Sequence, residues 1–527
     1  MEKRATKKEN YGFSPGDRLK AIAVAWAIMG VVLSGITFGG PIAVAGGRLR
    51  VAIEGDVVNM DPAGMLHSTD WLISMQIMEG LVELDCSSIP CKSCLRLAES
   101  YEISDDAKTI TFKLRRGVQF HGGYGEFTSE DVAFNFLRHL DPKVASRGRP
   151  QVQDIDRVET PDKYTVVVHL KNPTGYPLLR NLAWLTIGEI PSKKAVEKLG
   201  DKIKLHPIGT GPFYFDSWRP GEKVVLKKFA DYWGTAAKID EIEFWVLPEE
   251  TVALGALGKG DLDIVPITQP GSWQVAQTVK DIHILEASTA AYHNHLYINV
   301  GKPPMDDIKV RRALMYALDL KGIAKRLGPQ VVYWPSPLPS AVFAATTEFW
   351  KYDYNLDKAR QLLAEAGYPK GFELELLYTT QQFYEAMALE VANCWKKIVD
   401  VKLKQVERAL MYKTIKKYEH HAAIWTRTRF SPSLYSQLYI TGSPSKYMNY
   451  ANPKLDEIIL KGKTATTEEE SRRYWREFQK FIIDEAICAW IGDNKSQMAV
   501  RNRVKGLGPT SILPYMRLVY LRDAYFE

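Results

Sequence analysis

The residues of this chain that could do chemistry are its ten histidines, five cysteines and a few carboxylate pairs, and their spacing decides which reactions are open to them. A serine hydrolase needs a Gly-x-Ser-x-Gly elbow set between a strand and a helix, and the one such string, Gly12-Phe13-Ser14-Pro15-Gly16, falls in the basic segment ahead of the apolar stretch and is no nucleophile elbow; a zinc protease needs His-Glu-x-x-His on a helix, and that string is absent. Gly122-Gly123-Tyr124-Gly125 lacks the Lys-Ser/Thr of a phosphate-binding loop and reads as a tight turn, in which glycine supplies positive φ. His420 and His421 are adjacent and cannot chelate from one helix face. His293 and His295 alternate with Tyr297, so on a strand they share a face. There a hydrogen-bonding role outweighs a metal edge, because two ligands do not complete a site. Asp105-Asp106 fits a turn before a strand as well as any chemistry. No catalytic residue, metal site or cofactor is assigned, and the chain is not expected to be an enzyme.

Cys86, Cys91 and Cys94 are spaced C-x4-C-x2-C, which imitates part of a plant-type ferredoxin pattern without its fourth thiolate. An oxidising compartment favours a local disulfide among them, and the spacing leaves the partners open. Cys394 and Cys488 lie among apolar neighbours (Val391, Ala392, Trp395; Ile487, Ala489, Trp490) and are expected to be buried small hydrophobes.

The elements that must position these side chains change character along the chain. Ile110, Phe112 and Leu114 alternate with polar neighbours, which predicts a half-buried strand, and Val224–Leu226 and Thr165–His169 are similar β-branched runs. After Asp306-Asp307, apolar residues at Val310, Ala313, Leu314, Ala317 and Leu318 predict an amphipathic helix. A second helix is expected from a capping Asn355 to Gly367, with Pro369 beyond as a stop signal, and then a strand over Phe372–Tyr378. Alternating strands and helices imply α/β lobes, and no low-complexity linker divides them.

With 46% hydrophobic and 25% charged residues, the 527-residue chain is no disordered tail, collagen-like fibre or disulfide-stapled miniprotein, and it is long enough for more than one domain. Three of its seven net positive charges fall in the first 20 residues. Eighteen uncharged residues follow, Ala21 to Phe38, and then Ala43-Val44-Ala45 fits a signal-peptidase site. Residues 1–45 are therefore expected to be a cleavable export signal, or a membrane anchor if uncleaved. No cysteine near the junction supports a lipid anchor, no later stretch is apolar enough to span a bilayer, and the remaining charge is too diffuse to predict nucleic-acid binding.

Several ordered motifs carry a more specific message: Val51-Ala-Ile-Glu-Gly55 with Asp61-Pro62, Leu97-Ala-Glu-Ser-Tyr101, Ser104 through Val118, and Phe127-Thr-Ser-Glu-Asp-Val132. Later come Pro207-Ile-Gly-Thr-Gly-Pro-Phe213, Asp231-Tyr-Trp-Gly234, Pro304 through Leu314, and Tyr354 through Arg360. In this order they resemble the family 5 extracellular solute-binding proteins, the dipeptide-, oligopeptide- and nickel-binding receptors of bacterial ABC importers. The resemblance implies a two-lobed periplasmic-binding-protein fold of class II, peptide-binding type, with an extra subdomain in the first lobe. Lobe I would be 46–289 plus 491–527, with the subdomain near 80–205, and lobe II would be 290–490. It further implies a periplasmic receptor that closes on a peptide or peptide-like solute and delivers it to a permease and ATPase at the inner membrane. A monomer is expected.

Peptide-binding members hold the ligand ammonium with an aspartate shortly after a tryptophan. Here the segment is Trp425-Thr426-Arg427-Thr428-Arg429, and Thr428 stands in the aspartate's place. A hydroxyl cannot neutralise a buried ammonium. The segment expected to supply a carboxylate-binding arginine, Tyr378–Gln382, contains none. Arg427 and Arg429 could instead fork onto a carboxylate or phosphate. His67, Ser68, Thr69, Asp70 and Trp71 with Tyr292 and Asn294 are expected to form the opposite wall, Gln381 to approach the ligand, and Asp70 to offer a substitute carboxylate. A sugar, an anionic metabolite or a metal chelate is the alternative ligand, and a secreted hydrolase the alternative class.

Overall fold

The computed structural model describes residues 46–527 apart from Leu66, Trp184, Gln381, Phe430 and residues 515–517. The expected export signal, 1–45, lies outside the described residues. None of the described helices is long and apolar enough to cross a membrane.

Two large sheets organise the chain. The first has seven strands in the order Ile282–Glu286, Gln497–Arg501, Ile264–Ile267, Arg48–Ile53, Glu241–Val246, Lys223–Lys228, Phe213–Arg219. At its centre Arg48–Ile53 runs parallel to both neighbours, and its buried Leu49 and Val51 explain why that strand reads as an apolar run. The second has six strands in the order Val331–Val332, Cys488–Asn494, Tyr292–Ile298, Ala422–Thr428, Glu373–Thr379, Asp400–Val406. Each sheet has its own apolar core.

A third core lies under a four-stranded antiparallel sheet, Ala98–Ile103, Thr109–Leu114, Thr165–Leu170 and Ile155–Asp162. It includes Ile110, Phe112 and Leu114, the alternating positions expected to face inward. Beside it the hairpin of Val82–Asp85 and Lys92–Leu95 is closed by a Cys86–Cys91 disulfide, while Cys94 is free and Cys394 and Cys488 are buried.

Helix signals written in the sequence are met by local chemistry. Asp307 caps Ile308–Tyr316 by accepting from the Lys309 N–H. Its stripe buries Val310, Ala313 and Leu314, and the Leu314 carbonyl accepts from Trp395 Nε1 at 2.9 Å. The helix ends before Ala317 and Leu318, because Asp319 already caps the next one through the Gly322 N–H. Asn355 caps Leu356–Glu365, and Gly367 follows at φ 89°, a left-handed conformation that favours glycine.

The chain passes from the first sheet to the second between Glu286 and Tyr292, and returns between Asn494 and Gln497. The two crossings are bonded to each other, the Ala287 N–H donating to the Ser496 carbonyl at 2.9 Å. Crossings this short leave no room for a compositional linker, which accounts for its absence from the sequence.

Candidate functional site

The crossing strand Tyr292–Ile298 is central to the second sheet, flanked by Ala422–Thr428 and Cys488–Asn494. Its alternation separates two sets of side chains. His293, His295 and Tyr297 share one face, as the spacing predicts, with Arg427, Trp425 and Ala423 opposite them in register. His293 Nδ1 donates to Asp493 Oδ1, and Nε2 donates to the Ser336 carbonyl at 2.7 Å. Asp493 Oδ2 accepts from the Ser340 N–H at 2.7 Å. The His295 ring lies against Tyr297 with centroids 5.0 Å apart, and burial first, then the neighbouring His293 and Arg427, hold it well below the usual histidine range. His293 is a structural donor, and His295, whose Nε2 has no hydrogen-bond partner, is a packing group.

On the other face Asn294 is fully buried. Its Nδ2 donates to Asn494 Oδ1 at 2.8 Å, and its Oδ1 accepts from Thr426 Oγ1 at 3.1 Å. It therefore ties three strands together instead of lining an open wall. Tyr292 remains partly exposed and pairs in register with Thr428 and Asn494.

Strand Ala422–Thr428 is buried at its start and opens at its end, where Trp425, Arg427, Thr428 and Arg429 are all partly exposed. Trp425 stacks on Tyr384 with ring centroids 5.8 Å apart. The Arg427 guanidinium lies 4.5 Å from the Tyr447 ring centre and 5.6 Å from that of Trp425, yet its Nε is shut in without a hydrogen-bond partner. Burial pulls this guanidinium below its ordinary value, opposed by Tyr297 and reinforced by Arg429. Arg429 donates to the Thr428 carbonyl at 2.9 Å.

The residues expected in the opposite wall lie at the start of helix Ser68–Ile77. His67, exposed, is its N-cap; Ser68 Oγ donates to Glu54 Oε1 at 2.6 Å, and Thr69 is buried. Asp70 does not have the place expected of it. It has no exposed surface, and its carboxylate accepts from the backbone N–H groups of Val58 (2.8 Å), Asn59 (3.2 Å) and His67 (3.3 Å). A carboxylate committed to three backbone donors at a helix start is a cap, and it is not presented to a ligand. Trp71 packs beside Ala291 and Ala341, next to Leu84 and Cys91, so it meets the chain one residue before Tyr292. Gln381 lies outside the described residues.

Two further features have no local signal among the residues. Ser431 Oγ donates to Asn181 Oδ1 at 2.8 Å, linking the loop after the arginines to the helix Gly175–Leu182 of the inserted sheet. A small cavity of about 20 Å³ lies where the sheets meet, lined by Thr268 and Gln269 from one side and Gln330, Phe383 and Asn494 from the other. It has room for about one water.

Two α/β lobes joined by paired crossings, with partly exposed aromatic and cationic side chains at the strand ends between them, define a two-lobed solute-binding protein. The model of the bacterial extracellular solute-binding proteins, family 5 middle, matches residues 95–449. The dipeptide-binding protein of Escherichia coli (strain K12) is 30% identical over 446 residues, covering 78% of this chain and 82% of that protein. Among solved structures, the substrate-binding protein CtaP from Listeria monocytogenes superposes with TM-score 0.82 at 24% identity, over 92% of this chain and 100% of that one. MoaA from A. tumefaciens R10, in complex with mannopinic acid, gives 0.73 at 28% identity, over 91% and 99%. The chain belongs to family 5 of the bacterial extracellular solute-binding proteins.

Proposed function

We propose that the chain is the substrate-binding component of an ABC importer, which captures a peptide or peptide-like solute in the periplasm and hands it to a permease and ATPase. The observation that carries this reading is the paired crossing at 287–291 and 495–496. Two separately cored lobes held by so short a junction can move as bodies, and Tyr292, paired with Thr428, follows directly on the first crossing. Ligand then favours the closed form only as far as it binds that form better. In this reading Ser68, Trp71, Tyr292, Gln381, Trp425, Arg427, Thr428 and Arg429 contact the solute, while Asp70, Thr69 and Asn294 hold the walls. The relatives support the class and its breadth, since one is named for dipeptides and another is seen with mannopinic acid.

The test uses the mature chain stripped of ligand by unfolding and refolding, with tryptone, a mixed peptide digest, as probe. Solution scattering should show contraction, and native mass spectrometry should recover the bound compounds unchanged. Absence of both binding and contraction would refute the receptor role, and recovery of cleaved products would favour a hydrolase.

A further inference from the structure

We infer that the end of strand Ala422–Thr428 is a carboxylate-binding subsite, so that the solute enters with an acid group directed at Arg427 and Arg429. The inference rests on the receptor reading and specifies its ligand chemistry.

Four cations gather here. Arg427 and Arg429 lie two residues apart at the strand end. Lys416 approaches the same Tyr447 ring as Arg427, at 5.3 Å from its centre, and is pulled below its ordinary value by burial and then by Arg427 and Lys446. The ammonium groups of Lys416 and Lys446 are satisfied by backbone carbonyls, those of Pro444 and Lys446 for the first and that of Tyr450 for the second. Among the described residues none of the four is ion-paired to a carboxylate. Of the neighbouring acids, Asp493 accepts from His293 and the Ser340 N–H, and Asp456 accepts from the Thr441 N–H and acts electrostatically on Lys446, which leaves the two arginines without a carboxylate partner among the described residues.

Such an excess of positive charge, partly withdrawn from water, is unfavourable without an anion. Contacts with Tyr447 and Trp425 offset only part of it, since a cation over an aromatic face is attracted without being neutralised. Arg427 is a partly exposed residue whose shut-in Nε has no partner, and its planar fork is of the kind that a carboxylate accepts in bidentate fashion. Thr428, paired with Tyr292, faces the other side of the strand, so the cluster on this face is made by the arginines alone. The Trp425–Tyr384 pair offers a flat apolar surface for whatever carries the acid.

The experiment compares N-acetyl-dialanine, its C-terminal amide and succinate at matched ionic strength, by thermal shift and calorimetry on the mature chain. The two acids should raise the melting temperature and the amide should not. Arg429→Gln should weaken acid binding about tenfold or more, as expected for loss of a charge-assisted pair. Arg427→Gln should do the same, and Arg427→Lys, which keeps the charge but not the fork, should recover part of the affinity. Ligand-free melting of each variant controls for folding. Equal binding of acid and amide, acid binding that survives Arg427→Gln/Arg429→Gln, or no response to either acid would overturn the subsite. Contraction with tryptone but not with these acids would remove the subsite and leave the receptor role standing.

Discussion

Glu189→Gln should make the chain more resistant to alkaline pH. Glu189 is 3% exposed, its Oε2 accepts from Ser74 Oγ at 2.6 Å, and its Oε1 has no partner. It borders a cavity of about 30 Å³ shared with Glu79, Glu83, Tyr520 and Arg522, and burial raises its pKa from 4.5 to about 8. Folding thus tightens the hold on this proton. The resulting stabilisation is complete below pH 4.5, declines as pH climbs from there, and is lost above about 8. At about 1.4 kcal/mol per pH unit across that window, the ceiling is about 5 kcal/mol. Glutamine keeps the shape without the titration and can use the Ser74 hydroxyl. Thermal midpoints of both proteins should therefore be similar near pH 5 and should separate steadily towards pH 9, with the variant higher. Because so long a chain need not unfold in two states, the two proteins are compared in parallel, without extracting absolute free energies. Parallel pH profiles would show that Glu189 is already ionised in the folded chain, and the assignment of a buried neutral acid would fail.

Two further substitutions separate frame from site. Asp70→Ala removes the acceptor for three backbone N–H groups and should lower stability by about 2–4 kcal/mol. Calorimetry on the folded fraction should find solute affinity within about twofold of the parent; a large loss of affinity with little loss of stability would restore Asp70 as an anchor. Asp493→Asn breaks a buried pair and should cost about 3–5 kcal/mol, and in a cycle with His293→Gln in urea unfolding the two changes should be non-additive. Additivity within about 0.5 kcal/mol would deny the coupling.

How much of this was legible in the sequence depended on the range of the interaction. Asn355 with Gly367 delimits a helix through contacts a few residues away, and Ile110, Phe112 and Leu114 declare a strand by alternation alone. Helix Ser68–Ile77 is buried on nearly every side and so shows no stripe to read. The Cys86–Cys91 pairing was one of several that the spacing allowed. His293 and Asp493 are separated by 200 residues, and nothing local marks them as partners. Asp70 was misassigned for a related reason: residue type shows that a carboxylate is present, and only the folded backbone shows that Val58 and Asn59 have claimed it.

The same distinction explains where ligand preference can change in this fold. Asn294, Thr426, Asp493 and Asp70 are buried with their polar atoms engaged, so replacing any of them leaves a partner unsatisfied at about 1–3 kcal/mol. Thr428, Arg427 and Arg429 are partly exposed at a strand end. The backbone pairing of Thr428 with Tyr292 does not depend on which side chain it carries, and an acid there would serve the sheet as well as a hydroxyl does. Exchanging an aspartate for threonine at this position, with arginines on either side, would therefore alter the charge offered to the solute while leaving the two-lobed frame intact.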